Sequence, residues 1–366
     1  MLNALTGRSH RAMLAVISAL LSVVDVASRA LGGILQSVTD SRVWALTAGN
    51  QIGAVMVRGS FADLLDPRFR RIFTDEYRKQ HSDMIPVLHG MPGATQPQRD
   101  TERYSSVSGL PRMGQFTGSI DYASVYQGYD TTATYAEFAQ GIQIERTLLE
   151  WDQKNVMEAR PRALARSSYR RRQFDGTRHF RNMFNVDTFF QAGGDAVALC
   201  SNSHTTTTGA STTAGFDNLA TLAFSGANLA TLQIQSADFR DEQAEPIEVV
   251  LDGIVAPIDL YESVWEVVNS MGQVDSAQNN RNVHYGAYTI IFLRNKVDFT
   301  DTNDWAALDM TQMKEMSLWF DQVYPGGQPE FGFVEDFDTF NGKWRAYMRY
   351  TKLMWDWRWL VGSQVS

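Results

Sequence analysis

Period two is written most plainly near the end of the chain. From Lys343 to Lys352, Trp344, Ala346, Met348 and Tyr350 alternate with Arg345, Tyr347, Arg349 and Thr351. That spacing predicts a strand with one buried face. Leu353–Leu360 continues the beat, with Trp355, Trp357 and Trp359 on one side and Asp356 and Arg358 on the other. Phe331–Glu335 reads as a shorter strand. Arg103–Tyr135 holds two weaker alternating segments around Gly109–Gly118, with Tyr122, Val125, Tyr126, Tyr129 and Tyr135 as strand formers. The pattern predicts an extended hairpin. A lone hairpin cannot bury all its apolar side chains, so a neighbouring chain is expected to cover some of them.

Elsewhere the period is helical. Phe61–Tyr77 places Leu64, Leu65, Phe69, Ile72, Phe73 and Tyr77 on a broad apolar side, with Pro67 beginning a turn or kinking one. Ser82–Thr101 follows as a Pro/Gly-rich loop. The stretch Gly141–His204 then organises the rest. It carries eight Arg between Arg160 and Arg181, opposed nearby only by Glu158 and Asp175. Leu164, Tyr169, Phe174, Phe180 and Met183 thread between them. Pro161 suits a first helical turn, and Gly193 and Gly194 end helical order. We therefore expect a long helix ending near Phe190; about 20 residues would span on the order of 30 Å.

Thr205–Thr213 is a low-complexity loop. Ser225 is placed to cap a helix whose Leu229, Leu232, Ile234 and Phe239 face inward. Ile247–Val255 is apolar and β-branched, as a buried strand would be. Pro257 starts a helix with Leu260, Val264, Val267 and Val268 inward, Gly272–Asn282 is a polar loop, and Ala287–Leu293 is a second buried strand. The alternation predicts a compact α+β unit.

The N-terminus allows several readings. Arg8 and Arg11 precede Ala12–Val24, an apolar run like a secretory signal. Yet Leu14, Ile17, Leu21, Val24, Leu31, Ile34, Leu35 and Val38 recur at helical spacing opposite Ser18, Ser22, Asp25 and Arg29. That stripe runs past any cleavage point, and the run is too short for a membrane span. An amphipathic assembly arm, an extension outside the fold and a signal peptide all remain open.

Composition narrows the function classes. At 366 residues and 44% hydrophobic content, the chain is long enough for one large domain or two medium ones and too apolar for disorder. A single cysteine excludes a disulfide framework and a four-cysteine zinc site. The net charge of −8 argues against a dedicated nucleic-acid binder, though not against a container for nucleic acid. Cys200 and His204 have the spacing of a metal or nucleophile pair but no third partner, so a buried thiol and a polar loop histidine are expected. Asp298, Asp301, Asp304 and Asp309 lack the glycine and terminal glutamate of a calcium loop and read as a solvated loop. Arg170, Arg171 and Arg172 span about 200° of a helix and cannot all face one core. They are expected to pair with acids of a second chain such as Asp336 and Asp338, or else to meet phosphate. No phosphate loop, dinucleotide fingerprint or serine elbow is present.

The order of four segments resembles the tailed-bacteriophage major capsid proteins of the HK97 fold, in particular the Mu-like major head subunit group. These segments are FADLLDPRFRRIFTDEY at Phe61–Tyr77, GIQIERTLLE at Gly141–Glu150, NVDTFFQAGGDAVALCSNSHTTTTGASTTAGFDNLA at 185–220, and EPIEVVLDGIVAPIDLYESVWEVVNS at Glu245–Ser270. The third is similar to the family's asparagine-aromatic segment, its D-G-x-x-L-F/C-S-x-x-H pattern and its Gly/Ser/Thr loop. The likeness is taken to extend over roughly residues 61–359; order and spacing carry it, not any one motif.

The resemblance implies an α+β fold with an N-terminal arm (56–102, after an amphipathic extension, 1–55), and an extended β-hairpin or E-loop (103–135). It also implies a P-domain with a long spine helix (136–193), an A-domain (194–310) and returning P-domain strands (311–366). The function it implies is a structural head protein, not an enzyme. Copies would build pentamers and hexamers of an icosahedral shell, working with a portal and with scaffold or decoration proteins. The shell would enclose double-stranded DNA without reading its sequence, in a virion assembled in the host cytoplasm. Tyr122, Tyr126, Tyr129, Arg170, Arg171, Arg172, Asp336 and Asp338 are the expected subunit contacts; no catalytic residue, cofactor, metal or membrane partner is expected. Some family members crosslink through a hairpin lysine, but Arg103–Tyr135 contains none. An encapsulin-like compartment and a secreted hydrolase or adhesin are the rival readings.

Overall fold

The computed structural model describes residues 60–79, 83–92, 100–120, 122–145, 147–148, 151, 156–208, 215–272, 280–294, 299, 301–321, 328–336, 338–339 and 341–365. The chain divides into two compact units, Met1–Leu65 and Asp66–Ser366. The expected amphipathic extension (1–55) lies outside the described residues. The helices are α1 (Ser60–Arg78), α2 (Ile85–Leu88), α3 (Ala159–Gly176), α4 (Arg178–Arg181), α5 (Gly226–Ala237), α6 (Tyr261–Asn269) and α7 (Met310–Met316). The strands are β1 (Thr101–Val107), β2 (Gln127–Thr134), β3 (Ala136–Glu145), β4 (Gln191–Gly193), β5 (Leu219–Ala220) and β6 (Gly253–Pro257). They continue with β7 (Thr289–Leu293), β8 (Trp305–Leu308), β9 (Ser317–Asp321), β10 (Glu330–Glu335), β11 (Asn341–Met354) and β12 (Leu360–Ser363).

β11 is the longest strand and the centre of one sheet. It pairs antiparallel with β10, β3 and, near its end, β9. Its period of two sorts the side chains as the sequence predicts: Trp344, Ala346, Met348 and Tyr350 are buried. The ring of Phe69 meets Trp344 at 5.0 Å and Phe73 meets Phe331 at 4.9 Å, so α1 covers this sheet. β3 was not legible as a strand, because only Ile144 along it is fully buried.

A five-stranded sheet, ordered β5-β12-β8-β6-β7, forms the second unit of architecture. Both of its faces are buried, and period two divides its residues between two cores. Ile254, Ala256, Trp305, Ala307 and Val361 join Leu229, Leu232, Val264 and Val268 from α5 and α6. Val255, Ile291, Ala306, Leu308 and Leu360 join Phe180, Met183 and Met313 on the other side. Ser225 caps α5 by accepting from Asn228 N at 3.2 Å, as its position suggested.

Several expectations need correction. The long helix ends at Gly176, not near Phe190. A Cβ at Gly176 would lie 2.8 Å from Ile85 Cγ1, and its carbonyl accepts from His89 Nε2 at 2.9 Å. The Thr177 hydroxyl also donates back to Gln173 O at 3.2 Å, so tertiary packing closes the helix early. The strand expected at Ile247–Val255 begins only at Gly253 and runs on to Pro257. Ile234 is 69% exposed, because α5 offers the core only Leu229 and Leu232, with Phe239 buried beyond its end. The beat across Leu353–Leu360 breaks after Met354. Asp356 accepts from Arg358 N at 3.0 Å and its carbonyl takes Trp359 Nε1 at 2.9 Å, so a turn replaces the strand.

β1, β2 and β4 make the third sheet. Gly193 sits in it with φ +96, and a Cβ there would come 2.2 Å from Asp130 O. Gly193→Ala is expected to cost about 1–3 kcal/mol through strain, read as a lower urea midpoint. An unchanged midpoint would rule out this β2–β4 pairing.

Candidate assembly surfaces

The hairpin of β1 and β2 is paired from Thr101↔Thr134 to Val107↔Gln127. Between its strands no regular element occurs among the described residues. Its base is locked. Gln243 Nε2 donates to Ser108 Oγ at 3.0 Å, Gly109 O at 3.0 Å and Ser124 O at 3.1 Å. Gln243 is held in turn by an aspartate turn, in which Asp241 Oδ1 accepts from Gln243 N at 2.8 Å and Glu245 N at 2.9 Å. Arg112 pairs with Glu245 at 3.1 Å. Beyond this anchor the apolar side chains stand in solvent: Met113 is 99% exposed, Phe116 71% and Tyr122 87%. Leu110, Ile120, Val125 and Tyr126 are exposed as well. An apolar run of this kind on a fixed stem marks an interaction surface. Tyr129 differs from Tyr122 and Tyr126, because its hydroxyl bonds Thr205 Oγ1 at 2.9 Å and helps to seat the stem.

The three adjacent arginines part ways on α3. Arg171 turns to its own helix, donating to Asp175 Oδ2 at 2.8 Å with its guanidinium over the Phe138 ring at 4.4 Å. Arg172 turns inward. Its side chain is 12% exposed, it pairs with Asp321, and it donates to Tyr77 OH at 3.3 Å. For these two the expected acids of a second chain are replaced by acids of this one, because the helical phase aims them at β3 and β9. Arg170 alone is exposed, with no partner among the described residues. Asp336 pairs with Lys343 at 2.5 Å, which holds its carboxyl below the usual carboxylate range, while Asp338 is exposed.

The remaining chemical candidates take structural places. Cys200 is buried between Phe184 and Gly362, and burial pushes its thiol pKa up, away from nucleophilic use. His204 lies in a loop, as expected, but is buried there. It stacks on Trp357 at 4.1 Å, with Asp195 Oδ2 2.5 Å from Nδ1 and Asn218 Oδ1 3.0 Å from Nε2. The solvated acidic loop is likewise corrected at two positions: Asp304 and Asp309 are buried. Asp309 caps α7 by accepting from Thr311 N and Gln312 N, each at 2.9 Å, and Asp304 accepts from Val365 N at 2.7 Å. Asp301 closes its own turn on Asn303 N at 2.9 Å. Asp298 lies outside the described residues. Among the described residues no group of three or more His, Cys, Asp or Glu is arranged to hold a metal, and no helix is long and apolar enough to cross a membrane.

One buried cluster had no signal in the sequence. The rings of His89 and His179 lie 4.7 Å apart where the end of α3 meets β9 and β11. His89 Nε2 donates to Gly176 O and its Nδ1 lies 2.8 Å from Ser317 Oγ, while burial favours the neutral ring. Both nitrogens of His179, Lys352 Nζ and Asp175 Oδ1 are buried without a hydrogen-bond partner. Asp175 Oδ2 is shared by Arg171 and by Tyr350 OH at 2.7 Å. His179 and Lys352 also border a chamber of about 240 Å³ at the foot of the hairpin, with Thr131, Asp187, Asp195 and Glu242.

No family model matches the chain, and no curated protein does. Solved structures do. A chain from the asymmetric unit of the bacteriophage PhiM1 mature capsid aligns at 10% identity and TM-score 0.51, over 78% of this chain and 88% of that one. A chain of Microbacterium phage Oxtober96 aligns at 7% identity and TM-score 0.49, over 78% and 92%. A chain of the native GTA particle capsid aligns at 9% identity and TM-score 0.48, over 77% and 89%. This mixed α and β chain therefore shares its fold with the capsid chain of bacteriophage PhiM1.

Proposed function

We propose that this protein is a structural capsid subunit, without enzymatic activity, that self-assembles into a closed icosahedral shell around a double-stranded DNA genome. The observation that carries the reading is the fold shared with the PhiM1 mature capsid chain across most of both chains. The HK97 fold is the finer assignment, with the Mu-like head subunits as the group its sequence motifs resemble. In that frame 103–135 is the E-loop, 136–193 with 311–366 the P-domain, and 194–310 the A-domain; 56–102 is the arm. The protein belongs in the virion, in pentamers and hexamers, with a portal and with scaffold or decoration proteins as partners.

The hairpin supports this reading, since a locked stem presenting bare apolar side chains needs a second copy to cover them. Tyr122 and Tyr126 are its contact residues, and Asp338 is exposed for the same use. Light scattering and electron microscopy of the purified chain, with any scaffold partner, should reveal large closed particles. Monomers or dimers under every condition would overturn the reading, and particles filled with protein instead of DNA would favour a compartment. Met113→Ser with Phe116→Ser and Tyr122→Ser should leave the circular dichroism spectrum and Tm of the isolated subunit unchanged. Each buried side chain of this size is worth about 1.5–3 kcal/mol, so the triple variant should lower particle yield at least tenfold.

A further inference from the structure

The outward face of α3 is a ladder of arginines. Arg162, Arg166 and Arg170 follow one another at intervals of four, and all three are exposed, as is Arg160 to their side. Pro161, Leu164, Ala165 and Ser168 face inward, so the ladder cannot be turned into the core. Like charges at i, i+4 disfavour each other on a helix. Only part of the repulsion is offset within the chain: Glu158 reaches Arg162 at 3.5 Å and also takes Arg68 from α1, and Glu76 holds Arg166 at 2.6 Å. Arg160 and Arg170 have no hydrogen bond or ion pair among the described residues. In a chain of net charge −8, this local excess of cations stands out.

We propose that this face of α3 binds the phosphate backbone of double-stranded nucleic acid, without reading its sequence. The inference rests on the shell reading above and would assign α3 to the inner surface. Its geometry favours a phosphate strand. Four residues of helix rise about 6 Å, so the three rungs cover about 12 Å. One strand of a duplex presents a phosphate every 3.4 Å or so along its axis, a continuous partner for every rung and for Arg160 and Arg68 beside them. Guanidinium groups suit the task, since each offers a planar fork to a phosphate. The rival partner is the acidic pair Glu262 and Glu266 on α6 of a second copy, also exposed and four apart. It spans only about 6 Å and leaves the remaining arginines unmatched.

The full-length chain should be titrated with a fluorescent duplex of random sequence, about 30 base pairs, between 50 and 200 mM salt. The wild type should bind with log K falling against log salt at a slope of about −3 to −4, near −0.9 per phosphate neutralised. Arg160→Gln with Arg170→Gln, at positions without a partner among the described residues, should reduce that slope by about 2. Arg162→Gln and Arg166→Gln added to it should abolish binding, with circular dichroism checking the fold. Particle yield without DNA should stay at wild-type level in the double variant. Unchanged affinity and slope in the double variant would overturn the proposal. So would a loss of DNA-free particles in Arg160→Glu with Arg170→Glu that Glu262→Lys with Glu266→Lys restores, because the ladder would then be a subunit contact. If the wild type forms no particles at all yet binds duplex through these arginines, the shell reading fails while the phosphate surface stands.

Discussion

Replacing Arg358 by methionine is expected to lower the unfolding free energy by about 3–5 kcal/mol, the usual cost of removing one member of a buried ion pair. Arg358 is 5% exposed. Its Nη1 donates to Asp356 Oδ2 at 2.8 Å, its Nη2 to Glu242 Oε1 at 3.2 Å and its Nε to Arg240 O at 2.7 Å. Methionine keeps the apolar stem against Trp357 but leaves two carboxylates buried without a cation, and Glu242 Oε2 already lacks a partner. Urea unfolding at pH 7 reads the loss. Adding Glu242→Gln should recover part of it, because one stranded charge is removed. A loss below about 1 kcal/mol would mean that water screens the site as it does a surface pair.

The second large effect is on pH. Burial lowers the His89 pKa to about 3 and holds that of His179 well below its ordinary value, while burial lowers Lys352 to about 7. The groups facing them are Asp175, Arg178, Arg181 and Asp187, and each histidine also faces Lys352. The unfolded chain titrates these groups near 6.5 for histidine and 10.4 for lysine. Between the folded and unfolded values the unfolded chain holds more protons, so stability must fall as pH falls. The first loss runs from about pH 10.5 to 7 through Lys352, the second from about 6.5 towards 3 through the two histidines. At about 1.4 kcal/mol per pKa unit, each step is worth several kcal/mol. Asp187, lowered to about 2 despite its burial by hydrogen bonds from Arg178 and Asn182, adds to the loss at the acid end. Tm should therefore drop from pH 9 to 7 and again from 6.5 to 4. Lys352→Met should raise stability at pH 7 by a few kcal/mol, flatten the alkaline limb and soften the acid limb, since both histidines lose a facing cation. A methionine variant with the wild-type slope on the alkaline limb would remove Lys352 from the account.

How much of this was legible depended on whether the signal was local. β11 was, because one side of it is buried and the other is not, and that difference writes itself as Trp344, Ala346, Met348 and Tyr350 against their polar neighbours. β8 was not, because Trp305–Leu308 is buried on both faces, leaves no alternation and is flanked by Asp304 and Asp309, which look like a loop. The end of α3 was missed for a different reason: Gly193 and Gly194 are louder breakers in the sequence than Gly176, but contact with Ile85 makes Gly176 decisive. The arginines show the limit most clearly. Arg170, Arg171 and Arg172 are chemically identical, and only the phase of the helix against β3 and β9 sends one outward, lays one along its own helix over Phe138 and turns one inward. The cluster of His89, His179 and Lys352 joins three distant parts of the chain, so no window of sequence contains it.

The order of strands in the five-stranded sheet also sets a timetable for biosynthesis. β12 lies between β5 and β8, and Trp357 and Trp359 beside it fill the two cores. β5 leaves the ribosome about 140 residues before its partner β12 does. At a translation rate of about 5–20 residues per second, that is a wait of roughly 7–30 seconds. Throughout it β5 lacks the strand it pairs with, and once β8 is made its edge towards β12 also stands open. Completion of this sheet therefore waits on β12, so a polysome crowded with growing copies displays hairpins before any copy owns a closed sheet.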